Sequence, residues 1–328
     1  MMPRACTGRR LSIVVPVTGD TAALEETLVS VLENRPADTE VIVGLGCDYA
    51  DPWHIAEEVT FVAAPRRGGL VGCVNGALAA ATGTVVHVLA AGWRATPGWT
   101  DAAVERIVAG EADAVIPVTV AEQDRARIVG AGLRVTAGGR RVAVVARRGA
   151  VEAPAVPVRS PVGPVLEAGF WSRDVLSRGG PGFAATCATL ADADLAVALS
   201  RAGATTVIEP TSQVLAPVLP AARVPAFVQG LHAERLFWRS RVGGGGITAH
   251  AAHAWEVLRH TVTTAPLGTV PMLLGRLVAA GTPWGYRSRH RHLESLVAEA
   301  QATALATIPI GGRADEVPVT AQPLRRSA

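Results

Sequence analysis

The sequence has no lysine: every one of its 31 basic residues is arginine. A Walker-type phosphate loop needs its lysine, and a Schiff-base mechanism relies on a lysine amine, so both classes of chemistry are excluded. Any bound phosphate must instead be held by arginine forks, backbone amides or a metal ion. The net charge of +3 is too small to argue for binding to nucleic acid.

Aromatic residues and cysteines are also scarce. Aromatics make up 4% of a chain that is 49% hydrophobic, so the core is expected to consist mainly of Ala, Val and Leu. Four cysteines, at positions 6, 47, 73 and 187, lie too far apart for a zinc knuckle or a redox motif. We therefore expect reduced thiols and a cytoplasmic protein. No apolar run reaches 18 residues, so no membrane-spanning helix is predicted.

The first hundred residues alternate short apolar strands with helices. Strands are predicted at residues 11–15, 40–43, 61–64 and 84–89, and helices at 21–32, with Thr21 as N-cap, and at 72–81. This alternation predicts an α/β fold with a doubly wound, mostly parallel sheet flanked by helices. Ligands of such sheets bind at the carboxyl ends of the strands.

Composition divides the chain into four predicted parts: a basic leader at 1–10, a main domain at 11–220, a helical extension at 221–305 and a flexible tail at 306–328. The apolar run after the leader is short and β-branched, which indicates a strand rather than a signal peptide. Within the main domain, strand-like runs on either side of residues 137–139 (Ala-Gly-Gly) predict a hairpin. From Phe170 the composition indicates loops.

Four segments carry a resemblance to a known family. They are residues 12–17 with 24–32, Gly69-Leu70 with 75–83, Pro97-Gly98-Trp99, and 191–195 with 199–203. In this order and spacing they resemble family 2 glycosyltransferases of GT-A fold over roughly residues 11–217. The resemblance implies a nucleotide-sugar donor, a glycan or lipid-linked acceptor, and direct displacement with inversion.

The resemblance also implies roles for particular residues. Asp192 would be the general base, although a carboxylate in the first turn of a helix is the simpler alternative. Its neighbour Asp194 is expected to be structural, bound to backbone or to an arginine. Donor contacts are implied at Pro16, Asp48, Asn75, Arg66, Arg67 and Arg94. The alternatives are a buried amide tying a helix to a loop at Asn75 and ordinary solvated surface arginines at positions 66, 67 and 94.

The metal site of the family has no counterpart in this sequence. The Asp-x-Asp motif expected after the fourth strand falls on Ala90-Ala91-Gly92, and no histidine stands near Ala216. The family's Mg²⁺ or Mn²⁺ contributes several kcal/mol, and losing that term slows the reaction roughly a thousandfold or more. The arginines named above are candidates for a partial replacement. A catalytically inactive module that binds a nucleotide, a glycan or a protein is the alternative function.

Other readings of the sequence are weaker. A dinucleotide-binding oxidoreductase lacks its Gly-x-Gly-x-x-Gly turn after the first strand. The spacing of His250, His253 and His260 permits a zinc site, but a solvated or partner-facing helix surface is preferred. Residues 272–278 form an apolar helix for which peripheral membrane contact is an alternative to packing on the main domain.

Overall fold

The structure, a computed structural model, describes residues 10–144, 162–180, 182–217, 224–240, 246–282 and 284–307. Residues 1–9 of the predicted leader and residues 308–328 of the predicted tail therefore lie outside the described residues. The predicted boundary near residue 220 also falls in an undescribed stretch, between the last strand and the helix that begins at Ala226.

The elements follow one another in two series. The first is β1 (Leu11–Val17), α1 (Thr21–Asn34), β2 (Thr39–Leu45), β3 (Val59–Ala63), α2 (Gly69–Ala80), β4 (Val85–Leu89), β5 (Arg94–Ala95), α3 (Asp101–Val108), β6 (Ala114–Ala121), β7 (Asp124–Gly130), β8 (Leu133–Val135) and β9 (Arg141–Ala143). The second is β10 (Val162–Gly163), β11 (Ala168–Ser172), α4 (Arg173–Gly179), α5 (Ala191–Arg201), β12 (Thr206–Ala216), α6 (Ala226–Ser240), α7 (Ile247–Thr264), α8 (Thr269–Ala280) and α9 (Trp284–Thr307).

A nine-stranded sheet forms the centre, in the order β3-β2-β1-β4-β11-β6-β12-β5 with β7 added beside β6. Strands β1 to β4 run parallel, and β6 and β12 are parallel to each other. The prediction of a mostly parallel sheet flanked by helices is confirmed. β8 pairs antiparallel with β9, as predicted for the hairpin, and with β10 in a second, three-stranded sheet.

The first helix begins at Thr21, as predicted, but its cap is a different residue. Its N-cap is Asp20, not Thr21, because the Asp20 carboxylate accepts a hydrogen bond from the Ala23 backbone N–H at 3.0 Å. Aspartate is among the strongest N-cap residues, since its side chain satisfies an N–H that has no partner within the helix. The buried face of α1 then carries Leu24, Leu28 and Val31 onto the sheet.

The loops expected from Phe170 onward are instead a central strand. β11 lies antiparallel between β4 and β6, and its Phe170 stacks on the fully buried His87 with ring centroids 3.8 Å apart. The His87 Nδ1–H donates to the Gly169 carbonyl, and its Nε2 accepts from the Trp99 indole N–H at 3.0 Å. This strand closes the sheet between its two parallel halves.

The helical extension attaches to the main domain through a buried acidic residue. Asp194 of α5 pairs with Arg239 of α6 at 2.9 Å and with Arg289 of α9 at 3.1 Å, which confirms a structural role with arginine partners. Buried carboxylates are tolerated where guanidinium groups neutralise them.

Helix α8 packs chiefly against α6 of the same extension, not against the main domain as predicted. A Cβ on Gly275 would stand 2.0 Å from the Phe227 carbonyl oxygen, so only glycine permits this approach. Its outer side chains Leu274, Leu277 and Val278 are exposed, and peripheral membrane contact stays a prediction. Among the described helices, none combines the length and the apolar character that crossing a bilayer requires.

Candidate functional site

A cavity of about 420 Å³ opens at the carboxyl ends of β2 and β3. This is the edge at which a parallel α/β sheet binds its ligands. The cavity is lined by Leu45, Gly46, Cys47, Asp48, Tyr49, Ala50, Ala63, Ala64 and Arg66. Two predicted donor contacts, Asp48 and Arg66, therefore lie at one site.

Arg66 and Asp48 face each other across this cavity. The Arg66 Nη2 donates to both carboxylate oxygens of Asp48, at 2.7 and 2.8 Å. Both side chains are largely exposed, so the pair contributes little to stability and can exchange partners at low cost. Arg67, the next residue, makes no hydrogen bond or ion pair with any residue that the structure describes. The two guanidinium groups are thus accessible to an anionic ligand.

The floor of the cavity depends on close packing between β2 and α2. A Cβ on Gly44 would stand 2.1 Å from the Cys73 carbonyl oxygen, so glycine is required there. The wall carries Tyr49, whose ring lies 5.5 Å from that of Phe61. The Tyr49 hydroxyl is buried without a hydrogen-bond partner among the described residues. Burial, with smaller contributions from Glu25 and Asp51, raises the pKa of this phenol.

The segment Ala90-Ala91-Gly92 forms a turn held through its backbone N–H groups, and the Gly92 N–H donates to the Thr27 hydroxyl at 2.9 Å. The Ala90 N–H donates to the Glu167 carbonyl and the Ala91 N–H to the carbonyl of Pro16, a predicted donor contact on β1. Gly92 has a φ of 90°, which side chains of L-residues rarely adopt. The backbone here is therefore unsuited to an aspartate at position 92, in addition to lacking one.

The other predicted donor contacts are engaged within the protein. Arg94 pairs with Glu26 of α1 and with Glu122 after β6, each at 2.7 Å. The Asn75 amide forms two 2.8 Å hydrogen bonds, both with the backbone of Phe183, so it ties α2 to the loop before α5. The contacts of Asn75 match the structural alternative stated above, whereas Arg94 is half-buried in two ion pairs and not simply solvated. The role of both residues in donor binding stays a prediction.

Asp192, the predicted base, is buried at the first turn of α5. Its carboxylate accepts from the Arg141 guanidinium at 2.7 to 3.1 Å, from the Leu166 N–H at 3.3 Å and from the Ala193 N–H at 2.8 Å. The arginine comes from β9, so the hairpin and α5 are joined by this ion pair. A carboxylate held by this many donors is precisely oriented but has few free lone pairs.

A second carboxylate at this place, Glu167, was not predicted. It lies next to Leu166, which bonds Asp192, and its own carbonyl bonds Ala90. Burial raises the pKa of the Glu167 carboxyl, and the charge of Asp192 raises it further, against smaller opposing effects of a backbone hydrogen bond and Arg141. A perturbed carboxyl in a site is a candidate for proton transfer. The feature of the sequence that could have indicated Glu167 is its position as an isolated acid in the apolar run 162–171.

No described residues fit a divalent cation at this turn. Ala90, Ala91 and Gly92 offer no side-chain oxygen, and among the described residues no group of three or more His, Cys, Asp or Glu side chains converges as metal ligands. Glu167 is a single carboxylate, whereas Mg²⁺ needs several oxygen ligands in near-octahedral geometry. No step of the chemistry is therefore derived through a metal.

The histidines of the zinc alternative are used in packing. The His253 Nε2 lies 3.1 Å from both carboxylate oxygens of Glu234, and its ring stacks on Phe237. The preferred prediction, a solvated or partner-facing surface, is therefore wrong for His253. His260 accepts from Arg276 at 3.1 Å, and burial together with that arginine lowers the pKa of His260 to about 4.

Comparison with known proteins agrees with this geometry. Residues 12–141 match the family model described as Glycosyl transferase family 2. The match covers less than half of the chain. A search of curated protein sequences gives no match.

Solved structures extend the likeness to most of the chain. PcManGT, a mannosyltransferase from Pyrobaculum calidifontis in complex with GDP-Man and Mn²⁺, is 17% identical, with a TM-score of 0.52 over 92% of this chain and 88% of its own. Residues 1–349 of S. aureus TarS are 14% identical, with a TM-score of 0.55 over 90% and 88% of the two chains. At these identities the likeness establishes the fold, and the predicted GT-A fold is confirmed. The segment that matches family 2 holds the cavity of Asp48 and Arg66 as well as Arg141, whereas Asp192 and Glu167 follow it.

Proposed function

We propose that this protein is a glycosyltransferase that moves a sugar from a nucleotide-sugar donor to a glycan or lipid-linked acceptor, with inversion. The observation that carries the proposal is the cavity formed by Asp48 and Arg66 at the sheet edge where GT-A proteins bind nucleotides. It lies wholly inside the segment that matches family 2.

Donor binding is proposed to exchange the partner of Arg66. In the unliganded chain the guanidinium is held by Asp48, and this exposed pair costs less than about 1 kcal/mol to break. A diphosphate offers bidentate acceptor oxygens, which a guanidinium fork matches. Asp48 is then free to accept from the nucleoside, and Arg67 supplies a second positive charge to the diphosphate leaving group.

Proton removal from the acceptor hydroxyl is proposed to involve Asp192 or Glu167. The resemblance favours Asp192, whereas the four N–H groups bound to its carboxylate leave it few free lone pairs for a new proton. Glu167 lies beside it with a raised pKa, which suits a general base because proton transfer is most efficient when the pKa is near the working pH. The attacking oxygen would displace the diphosphate from the opposite face of the anomeric carbon, which gives inversion.

The second candidate function is a GT-A module that binds without turnover. The turn at Ala90 to Gly92 favours it, because neither its side chains nor its backbone suits the carboxylates that hold a metal in this family. Such a module would bind a nucleotide, a glycan or a protein partner through the same cavity.

Calorimetric titration with UDP- and GDP-sugars, with and without Mn²⁺, tests nucleotide-sugar binding. The transferase requires this binding, and it is one of the roles proposed for the inactive module. We expect binding that is insensitive to Mn²⁺ and weakened about tenfold or more in Arg66→Gln. Arg35→Gln is the matched control, since Arg35 also forms a surface pair, with Glu58, away from the cavity. Unchanged affinity in Arg66→Gln would remove this cavity from donor binding. Donor hydrolysis or transfer then separates the enzyme from the inactive module.

A further inference from the structure

A second cavity, of about 460 Å³, lies between the β8–β9 hairpin and helices α6, α7 and α8. It shares no lining residue with the nucleotide cavity. One wall belongs to the family 2 segment and the other to the helical extension. Four arginines line it: Arg140, Arg141, Arg259 and Arg276.

A single carboxylate positions two of these arginines. Glu256 of α7 is buried, and its two oxygens accept from the Nε of Arg140 at 3.0 Å and from the Nε of Arg259 at 2.8 Å. Each guanidinium is held through Nε only, so among the described residues its terminal nitrogens have no acceptor. Both arginines are partly exposed and present these terminal N–H groups at the cavity.

The third arginine, Arg276, is buried in the cavity wall. Its Nη1 donates to Glu234 at 2.6 Å and its Nη2 to the ring of His260 at 3.1 Å. Its Nε is buried and has no partner among the described residues. This Nε has almost no accessible surface, so Arg276 faces the cavity through the rest of its guanidinium group and its positive charge.

The side chains that line the cavity carry more positive than negative charge. Four guanidinium groups line it with one carboxylate, Glu256, which is shared by two of them. Asp192 and Glu234, which do not line the cavity, pair with Arg141 and Arg276, and Glu167 also acts on Arg141. Glu234 also faces His253, and His260 is neutral near pH 7. An anion entering here is therefore met by net positive charge and by free donors.

We propose that this cavity binds a phosphate group, and that the phosphate belongs to the acceptor. A phosphate has several oxygens directed tetrahedrally, so it can accept from Arg140, Arg259 and Arg276 together, whereas a planar carboxylate has only two. Arg141 connects the cavity to Asp192, the candidate base. The assignment to the acceptor rests on the proposed function; the phosphate site itself does not.

Calorimetry with pyrophosphate and no donor tests the site. The full chain is compared with Arg259→Gln and Arg140→Gln, each of which leaves Glu256 one arginine partner, and with the exposed control Arg125→Gln on β7. Pyrophosphate should bind 10- to 100-fold more weakly to the first two, on the order of one charged hydrogen bond, and unchanged to the control. Circular dichroism checks that each variant is folded.

The variant Arg66→Gln distinguishes this cavity from the nucleotide cavity, because its pyrophosphate binding should persist. Unaltered binding in both Arg259→Gln and Arg140→Gln, or binding lost in Arg66→Gln alone, overturns the proposal. If phosphate binding follows the expected pattern but no transfer is found with any donor, the phosphate site is supported and only its assignment to an acceptor is wrong.

Two further binding experiments distinguish the sources from which the phosphate could come. Vesicles of phosphatidylcholine with phosphatidic acid test a lipid phosphate, and glucose 1-phosphate tests a soluble sugar phosphate. The matching source should bind the full chain and bind Arg259→Gln at least about tenfold more weakly. If neither source shows this dependence on Arg259, a phosphate-bearing acceptor is excluded.

Discussion

The backbone N–H of Ala90 donates to the backbone carbonyl of Glu167 at 2.9 Å. One residue earlier, the Leu166 N–H donates to the carboxylate of Asp192. A two-residue stretch thus links the end of β4, where the family's metal motif would stand, to the candidate base on α5. The carboxylate that this stretch adds, Glu167, stands beside the turn that lacks acidic side chains.

Replacing Glu167 with glutamine tests whether this side chain accepts the acceptor's proton. We expect kcat/KM for transfer to fall by about 100-fold or more, because a general base contributes on that order, with donor affinity unchanged. In the unaltered enzyme the rate should rise with pH through the raised pKa of Glu167, since only the deprotonated carboxylate accepts a proton. The measurement is kcat/KM against pH, with the exposed Glu105→Gln as control.

Asp192→Asn is the companion measurement. If Glu167→Gln keeps its activity while Asp192→Asn loses it and remains folded, the base is Asp192. The stability of Asp192→Asn must be measured alongside, because the substitution leaves the partly buried Arg141 without its carboxylate.

The sequence alone was sufficient to predict those parts of the structure that depend on a local pattern of residues. The apolar runs of β1, β2 and β4 are visible because strands buried on both faces are largely apolar. That Asp48 and Arg66 meet follows from their positions after β2 and β3, two neighbouring parallel strands. Sites of this kind can be predicted from neighbouring strands alone, without knowing how distant segments of the chain pack.

Long-range pairings could not be found this way. No local pattern marks β11 as a central strand, and only its antiparallel pairing with β4 and β6 makes Phe170 a core residue. The partners Arg141 and Asp192 are 51 residues apart, with no periodicity that relates them. Glu167 matters because of what folds around it, and a lone acid in an apolar run carries no signal of that.

Asp194 tests how the extension is attached. Asp194→Asn leaves the mostly buried guanidinium groups of Arg239 and Arg289 without their shared carboxylate, so the free energy of unfolding should fall by about 3 to 5 kcal/mol. Asp174→Asn is the matched control, because Asp174 forms an exposed pair with Arg178 four residues on and should cost less than about 1 kcal/mol. Urea unfolding measures both. Equal losses in the two variants would contradict a structural role for the Asp194 pair.

His87 is expected to make the fold sensitive to acid. Burial lowers the pKa of His87 to about 3, against a weaker opposing effect of its bond to Gly169. Below about pH 6.5 the imidazole of His87 binds a proton in the unfolded chain but not in the folded chain. Stability is therefore lost as the pH falls from 6.5 toward 3, by up to about 1.4 kcal/mol per pH unit.

The slope of unfolding free energy against pH, measured between pH 4 and 7, checks this expectation. In His87→Gln this slope should be smaller than in the unaltered chain, by an amount that corresponds to at most one proton taken up on unfolding. This holds whatever the absolute stability of that variant. His54→Asn, which alters an exposed histidine, should keep the slope of the unaltered chain. An unchanged slope in His87→Gln would mean that the buried ring titrates normally.

The contact between α6 and α8 should tolerate no side chain at Gly275. A Cβ there would lie 2.0 Å from the Phe227 carbonyl oxygen and 2.8 Å from the Leu231 nitrogen, both backbone atoms that cannot rotate away. Gly275→Ala should therefore destabilise the protein by about 1 to 3 kcal/mol or more, although alanine is the better helix former.

Gly76→Ala on α2 is the matched control for this substitution. Its new Cβ would meet its nearest neighbour, the Ala64 Cβ, at 3.6 Å, an ordinary contact, so the gain in helix propensity of roughly 0.5 to 1 kcal/mol should appear as stabilisation. Thermal unfolding of the two variants should thus shift in opposite directions. A stabilised Gly275→Ala would show that α6 and α8 do not approach as closely as described, and the arginine cavity that both helices line would then have a different shape.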